Sequence, residues 1–184
     1  MSSLGKLRAI EDDELELMRS WRNAPAVRAN MYTRHEISQA EHLSWWKQTS
    51  GCDDQKYFMY ECNGIGHGIV GITSIDVLNA NCSWAFYAST DAPKGVGSRM
   101  EYLALEYVFG QMGLHKLYCE VLAFNEAVIK LHQKFGFRVE GVFHQHHSID
   151  GKYVDIYRLG LLAPEWSSIR NNLYAKLSET QTGR

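Results

Sequence analysis

Two segments constrain the fold more than any others: Asp91–Met100, DAPKGVGSRM, and Phe124–Phe137, FNEAVIKLHQKFGF. The first is a glycine-rich turn that opens a helix. The second is a short helix that starts at Asn125 and stops at Gly136. Between them Lys116–Leu122 alternates as a strand. A strand before the first helix completes a β-α-β crossover, which belongs to a sheet with helices laid on it. A glycine-opened helix is also an anion seat, because its first backbone N–H groups are free to hold a pyrophosphate.

The flanking sequence fills in the rest. Leu7–Ile10 is a short strand candidate, and Asp12 or Asp13 is placed to cap a helix over Glu14–Arg22. Ala26–Asn30 reads as a second helical piece. Ser38 caps Gln39–Gln48 with Glu41 in capping-box position, and Leu43, Trp46 and Trp45 are expected to face inward. Lys56–Cys62, His67–Val77 and Cys82–Ser89 read as a meander, joined by Asn63-Gly64 and by Asn79–Asn81. Gly95–Met112 reads as one helix that stops at Gly113. Arg138–Ile149 and Lys152–Leu162 form a hairpin through Asp150-Gly151. A last amphipathic helix opens at Pro164, and its end, from Ser178 on, is expected to fray. The expected fold is α/β: one domain over residues 1–184, with a central mixed sheet of about seven strands and helices on both faces.

Composition limits the function. A net charge of −2 offers no electrostatic footprint for nucleic acid, although a local pocket can still be basic. No apolar run reaches the ~20 residues of a membrane span, so a soluble, cytoplasmic protein is expected. The four cysteines show no CxxC spacing and read as reduced thiols. His144, His146 and His147 have no Cys or carboxylate spaced to complete a zinc site, so no metal is expected.

With these residues in place, the chain resembles the GCN5-related N-acetyltransferases. That family's coenzyme A signature, Arg/Gln-x-x-Gly-x-Gly/Ala, is matched by Ala92-Pro-Lys-Gly95-Val-Gly97, without its first polar residue. Lys94 stands two residues further along as a source of positive charge. The second signature, Asn-x-x-Ala/Ser-x-x-Leu-Tyr-x-Lys-x-Gly-Phe, is matched at Asn125, Leu131, Lys134, Gly136 and Phe137. Val128 replaces the small residue and His132 the tyrosine. A narrower likeness, carried by Trp21–Asn23, Val27–Met31, Glu41–Trp45 and Asp150–Leu159, is to the acetyltransferases of bacterial pseudaminic acid biosynthesis.

The resemblance implies an acetyl-CoA-dependent N-acetyltransferase that works by direct transfer in a ternary complex. The implied acceptor is the 4-amino group of a UDP-linked amino-dideoxy sugar used in flagellin glycosylation. The implied coenzyme contacts are Lys94, Gly95, Val96, Gly97 and Ser98 at the pyrophosphate, and Phe86, Tyr87 and Ala88 on a bulged, splayed strand. Asn125 and Lys130 complete that set, and Asn125 reads either as a helix cap or as a contact to the pantetheine arm. His132 is the candidate catalytic acid or, alternatively, a packing residue; as an ordinary histidine it would lose its proton near ~6.5. Arg22, His42, Thr73, Ser74 and Tyr87 are the implied acceptor contacts, and Glu120 is either a proton relay or a solvated strand residue. Two other readings stay open: transfer to a protein N-terminus or small amine, and a coenzyme-binding module without turnover. A homodimer is among the options for assembly.

Overall fold

The computed structural model describes residues 4–182. The chain opens with strand β1 (Lys6–Arg8) and a 3-10 turn at Asp12–Glu14 that leads into α1 (Leu15–Asn23). The entry to α1 is fixed by Glu14, not by the aspartates the sequence suggested. Its carboxylate takes the Glu11 N–H and a two-pronged contact from Arg8. Pro25 starts α2 (Pro25–Arg28), as a first-turn proline can. The Ser38 hydroxyl accepts the Glu41 N–H at the start of α3 (Gln39–Thr49). Leu43, expected inside, is 45% exposed, while Trp45 packs beside Met18 and Ile69.

The meander follows as β2 (Lys56–Cys62), β3 (Ile65–Asp76) and β4 (Asn81–Ala88). Asn63 (φ 54°) and Gly64 (φ 77°) both take the left-handed region that a two-residue hairpin turn demands. Next comes α4 (Val96–Leu105), which continues as a π-helical turn over Glu106–Gln111 and stops at Gly113 (φ 65°). Then come β5 (Lys116–Leu122), α5 (Glu126–Lys134), β6 (Arg138–Ile149), β7 (Lys152–Leu162) and α6 (Ala163–Thr182). The last helix runs to Thr182, past the point where fraying was expected; residues 183–184 lie outside those described.

The strands form a seven-stranded sheet in the order β1-β2-β3-β4-β5-β7-β6. All neighbours are antiparallel except β4 and β5, which the α4 crossover makes parallel. Alternation in the strands separates two apolar layers. Tyr60, Val70, Ile72 and Trp84 face the layer under α4 and α6, where Met100, Leu105 and Trp166 are buried. Met59 and Ile69 face the opposite layer, with Met18 of α1. The sheet therefore carries helices on both faces, as expected.

The parallel seam is short. β4 and β5 pair only at Asn81–Lys116, Cys82–Leu117 and Ser83–Tyr118, and then diverge. β4 keeps its antiparallel ladder with β3 from Trp84 to Ala88, so the edge it turns toward β5 is left unpaired there. The splay was expected, but the bulge was assigned to the wrong strand. The register shift lies in β3, between Thr73 and Asp76, where Ser74 sits at φ 50°.

Candidate active site

Where β4 and β5 part, a cavity of about 240 Å³ opens. β4 lines it with Trp84 to Ala88, β5 with Cys119 to Val121, and α5 with Val128 and His132. Asn125 lines it from the entry to α5, and residues of α2 and the loop after it close the far side. The Asn125 side chain makes no capping hydrogen bond; its carbonyl instead accepts the Val128 and Ile129 N–H groups. The cap reading is thereby removed, and the carboxamide belongs to the cavity.

His132 sits at the inner wall, 3% exposed and enclosed by the rings of Trp84, Phe86 and Phe137 at 5.2 to 6.1 Å between centroids. Its Nδ1 is 2.8 Å from Oε1 of Glu101, a carboxylate on α4 that is fully buried. The second oxygen of Glu101, Oε2, is buried with no partner among the described residues. Burial disfavours charge on the ring. The nearby Cys119 sulfur and the hydrogen bond with Glu101 outweigh that and lift His132 to about 10. Burial pushes the Glu101 carboxyl up as well, against the pull of His132. Both shifts favour keeping a proton between the two side chains through neutral pH.

The glycine turn lies at the start of α4. Gly95 takes φ 88° as the residue before the first helical turn, a conformation that β-carbons resist. The Val96 N–H is spent on the Pro93 carbonyl and its side chain is buried in the core. Gly97 and Ser98 carry first-turn N–H groups that no backbone carbonyl takes among the described residues. The Arg99 guanidinium folds back onto the Lys94 and Gly95 carbonyls, which places a cation beside the turn. A Cβ built on Gly97 would meet Leu131 and Phe86 at 3.6 Å, ordinary contact, so the glycine faces the side chains of α5 and β4 beside the gap.

A second cavity, about 310 Å³, lies on the α1–α3 side of β4 and is lined by Arg22, His42, Trp45, Tyr57, Thr73 and Tyr87 among others. Met31, Ala85 and Tyr87 line both cavities, so the two adjoin. Arg22 gives one guanidinium N–H to the Thr33 carbonyl, but its Nη1 is buried without a partner among the described residues. Nε of the neighbouring Arg28 is likewise buried and unmatched. Burial holds the Arg22 guanidinium below its ordinary pKa, with Arg28 repelling it. Burial pulls His42 down, with Arg19 adding to the effect, and pushes the Tyr87 phenol up. Both are therefore neutral at pH 7.

A family model, the acetyltransferase (GNAT) domain, matches residues 7–157. The chain belongs to the GNAT acetyltransferase family. It is therefore an N-acetyltransferase, and acetyl-CoA is its acetyl donor. Spermidine N(1)-acetyltransferase of Escherichia coli K12 is 26% identical over 155 residues, covering 84% of this chain and 83% of that one. Acetyltransferase PseH of Campylobacter jejuni 81-176 is also 26% identical, over 140 residues that cover 76% and 86%. In three dimensions, the spermidine N-acetyltransferase of Vibrio cholerae, solved with CoA and spermine, superposes with a TM-score of 0.82. It is 22% identical and covers 88% of this chain and 97% of that one.

The site fits the donor a GNAT enzyme uses: a strand edge without a partner, an apolar gap beside it, and free first-turn N–H groups at a turn with a cation next to it. Of the donor-side residues named from sequence, Phe86, Tyr87, Ala88, Asn125 and His132 line the gap. Lys94, Gly95, Gly97 and Ser98 form the turn, whereas Val96 contributes a buried side chain and an N–H already spent. Lys130 stands apart, paired with Glu126 on the exposed face of α5. Arg22, His42, Thr73 and Tyr87 gather in the second cavity; Ser74, at the bulge, lines neither. Glu120 is exposed, as the solvated-strand reading expects, and its carboxylate is held by Arg158 and Tyr32. His144 to His147 are spread along an irregular stretch at Gln145 (φ 49°). No group of three potential ligands among the described residues would hold a metal ion.

Glu101 escaped the sequence reading. The only available signal was its spacing of four from Gly97, which puts it on the helix face that starts at the glycine turn. Cys119 read from sequence only as one of four reduced thiols; the fold brings it against His132. Met31, now a shared wall, was marked in the sequence only as the end of the Val27–Met31 likeness, with no role assigned.

Proposed function

We propose that this GNAT enzyme acetylates the 4-amino group of a UDP-linked amino-dideoxy sugar, UDP-4-amino-4,6-dideoxy-N-acetyl-β-L-altrosamine. The observation that carries the acceptor class is Arg22. A buried guanidinium nitrogen with no partner among the described residues, beside the unmatched Nε of Arg28, favours an anion and repels a polycation. A nucleoside diphosphate supplies that anion, and Trp45, Tyr57 and neutral His42 offer ring surface for a base. The likeness to PseH supports the same reading.

Acetyl-CoA supplies an acetyl group activated as a thioester. In this reading Gly97 and Ser98 N–H groups hold its pyrophosphate, with Gly95 shaping the turn and Lys94 and Arg99 adding charge. The free edge of β4 from Phe86 to Ala88 aligns the pantetheine arm, and one of its N–H groups stabilises the carbonyl oxygen as charge builds. Asn125 steadies the arm from the α5 side. His132 gives its proton to the departing sulfur. Arg22, Thr73 and Tyr87 orient the acceptor where the cavities adjoin. A sugar amine beside electron-withdrawing oxygens is a weak base, so it arrives neutral and sheds its proton to water.

A second reading takes spermidine as acceptor, because a spermidine acetyltransferase matches over a larger share of the chain. It needs free carboxylates. Glu41, the acidic residue lining the second cavity, is held by His35, and Glu120 is tied to Arg158. Thiol release from acetyl-CoA decides between the two. The sugar reading expects turnover with the UDP-amino sugar, competition by UDP, and none with spermidine. Turnover with spermidine that UDP leaves unaffected overturns it.

A further inference from the structure

Glu101 has no evident structural purpose. Burying a carboxylate and an imidazole costs several kcal/mol, and a single ring-to-carboxyl contact recovers it only when the remaining atoms are satisfied. Here Oε2 of Glu101 has no partner, in a helix whose other buried positions are apolar or aromatic. A leucine or methionine would serve packing better. What Glu101 does achieve is a fixed imidazole. With Nδ1 committed to Oε1 at 2.8 Å, Nε2 is the ring nitrogen left for the cavity that His132 lines.

We propose that Glu101 is a positioning residue for the acetyl transfer: it fixes the His132 ring through Nδ1 and keeps the ring protonated, so that Nε2–H is available at the gap between β4 and β5. The inference rests on the acid role proposed for His132. Every element around the ring bears on its protonation. Glu101 comes from α4 and Cys119 from β5. β4 contributes only the uncharged rings of Trp84 and Phe86, and Phe137 closes the other side. Glu120 of β5 lines the same cavity but is neutralised by Arg158. On α5 itself, Glu126 and Lys130 pair with each other at the surface. Glu101 is therefore the carboxylate acting directly on the ring. It accounts, with Cys119, for a histidine that stays protonated to about 10 rather than ~6.5.

The test compares kcat–pH profiles of the parent, Glu101→Gln and His132→Gln. The near-isosteric Glu101→Gln keeps a hydrogen-bond acceptor and removes the charge. Its alkaline limb is expected to move from near 10 toward ~6.5, so that at pH 8 kcat falls by about 30-fold while near pH 6 it approaches the parent value. KM for acetyl-CoA stays within about twofold, because no coenzyme contact is removed. Glu101→Asp recovers part of the shift. An unmoved alkaline limb in Glu101→Gln, with kcat in His132→Gln still reduced, overturns the role of Glu101 and leaves the acid role standing. A parent-like kcat in His132→Gln removes the reading beneath it. If Glu101→Gln does not fold, NMR titration of the His132 ring in the parent decides: a ring that titrates near ~6.5 overturns the proposal, and one near 10 supports it.

Discussion

Ser83 and Tyr118 are the last partners across the parallel seam of the sheet. Two residues further along, Ala85 and Glu120 line opposite walls of a cavity. The fold thus makes its binding gap by ending a ladder early, with no strand interrupted, and both walls stay anchored by antiparallel neighbours on their outer sides. The residues at the gap can be altered without unmaking the sheet, which makes the site open to test.

The two glycines of the phosphate turn should separate stability from binding. Gly95→Ala forces a β-carbon into the left-handed region at a cost of about 1–2 kcal/mol, so Tm should drop by a few degrees. Gly97→Ala has room in the protein itself and should leave Tm unchanged. It should weaken acetyl-CoA binding by roughly tenfold, about 1.4 kcal/mol, because the added methyl crowds the side of the turn that faces Phe86 and the gap. Thermal melts and calorimetry on both variants check this; equal loss of coenzyme affinity without any difference in Tm would contradict it.

Arg22→Ala should raise KM for the UDP-amino sugar by about 10–100-fold, the loss of one or two charge-assisted hydrogen bonds at ~1.5–3 kcal/mol. KM for acetyl-CoA should not change. Tm should hold or rise slightly, because the substitution removes a buried donor that has no partner. A large fall in Tm would mean that Arg22 is holding the fold together.

The pH dependence carries a definite sign. A catalytic acid works only while protonated, so activity should persist up to the raised pKa of His132, near 10, and fail above it. The acidic limb belongs to the acceptor amine, which must be neutral to attack. His132→Gln should lower kcat by roughly 100-fold with little effect on acetyl-CoA affinity. Glutamine is the informative replacement, because phenylalanine would also leave Glu101 buried without a partner, at about 3–5 kcal/mol.

Cys119 lines the gap beside His132, an arrangement that invites a covalent route. Direct transfer expects otherwise. Cys119→Ala should keep kcat within a few-fold, initial-velocity plots should intersect, and intact-protein mass after incubation with acetyl-CoA alone should not change. A mass increase of one acetyl group that disappears in Cys119→Ala would sink direct transfer.

Much of the fold was legible because its turns are chemically demanding. Asn63-Gly64 and Asp150-Gly151 require two consecutive residues at positive φ, few dipeptides supply that, and both turns stand where their composition put them. Helices were less faithful. Leu43 lies on the outer face of α3, where an apolar residue gives no warning. The change to π-helical winding at Glu106, where the Met112 N–H reaches the Tyr107 carbonyl, has no local signature. The residues that gather at the gap and the glycine turn were readable from two motifs fixed by backbone geometry. Glu101 was not, because one carboxylate beside an apolar stripe looks the same whether it meets water or a histidine on another helix. Ser74 was misplaced for a related reason: a bulge turns one side chain out of register, and sequence does not say which strand will carry it.

β4 divides its labour by parity. Trp84 and Phe86 lean toward His132, while Ala85 and Tyr87 look onto the pocket holding Arg22. Inserting or deleting one residue here would exchange the two sets and send an indole into the Arg22 pocket. The strand is locked in frame by what it serves on either side. Retargeting this enzyme to a new amine therefore has to proceed through the α1–α3 arch, the portion of the scaffold free to drift without derailing the chemistry.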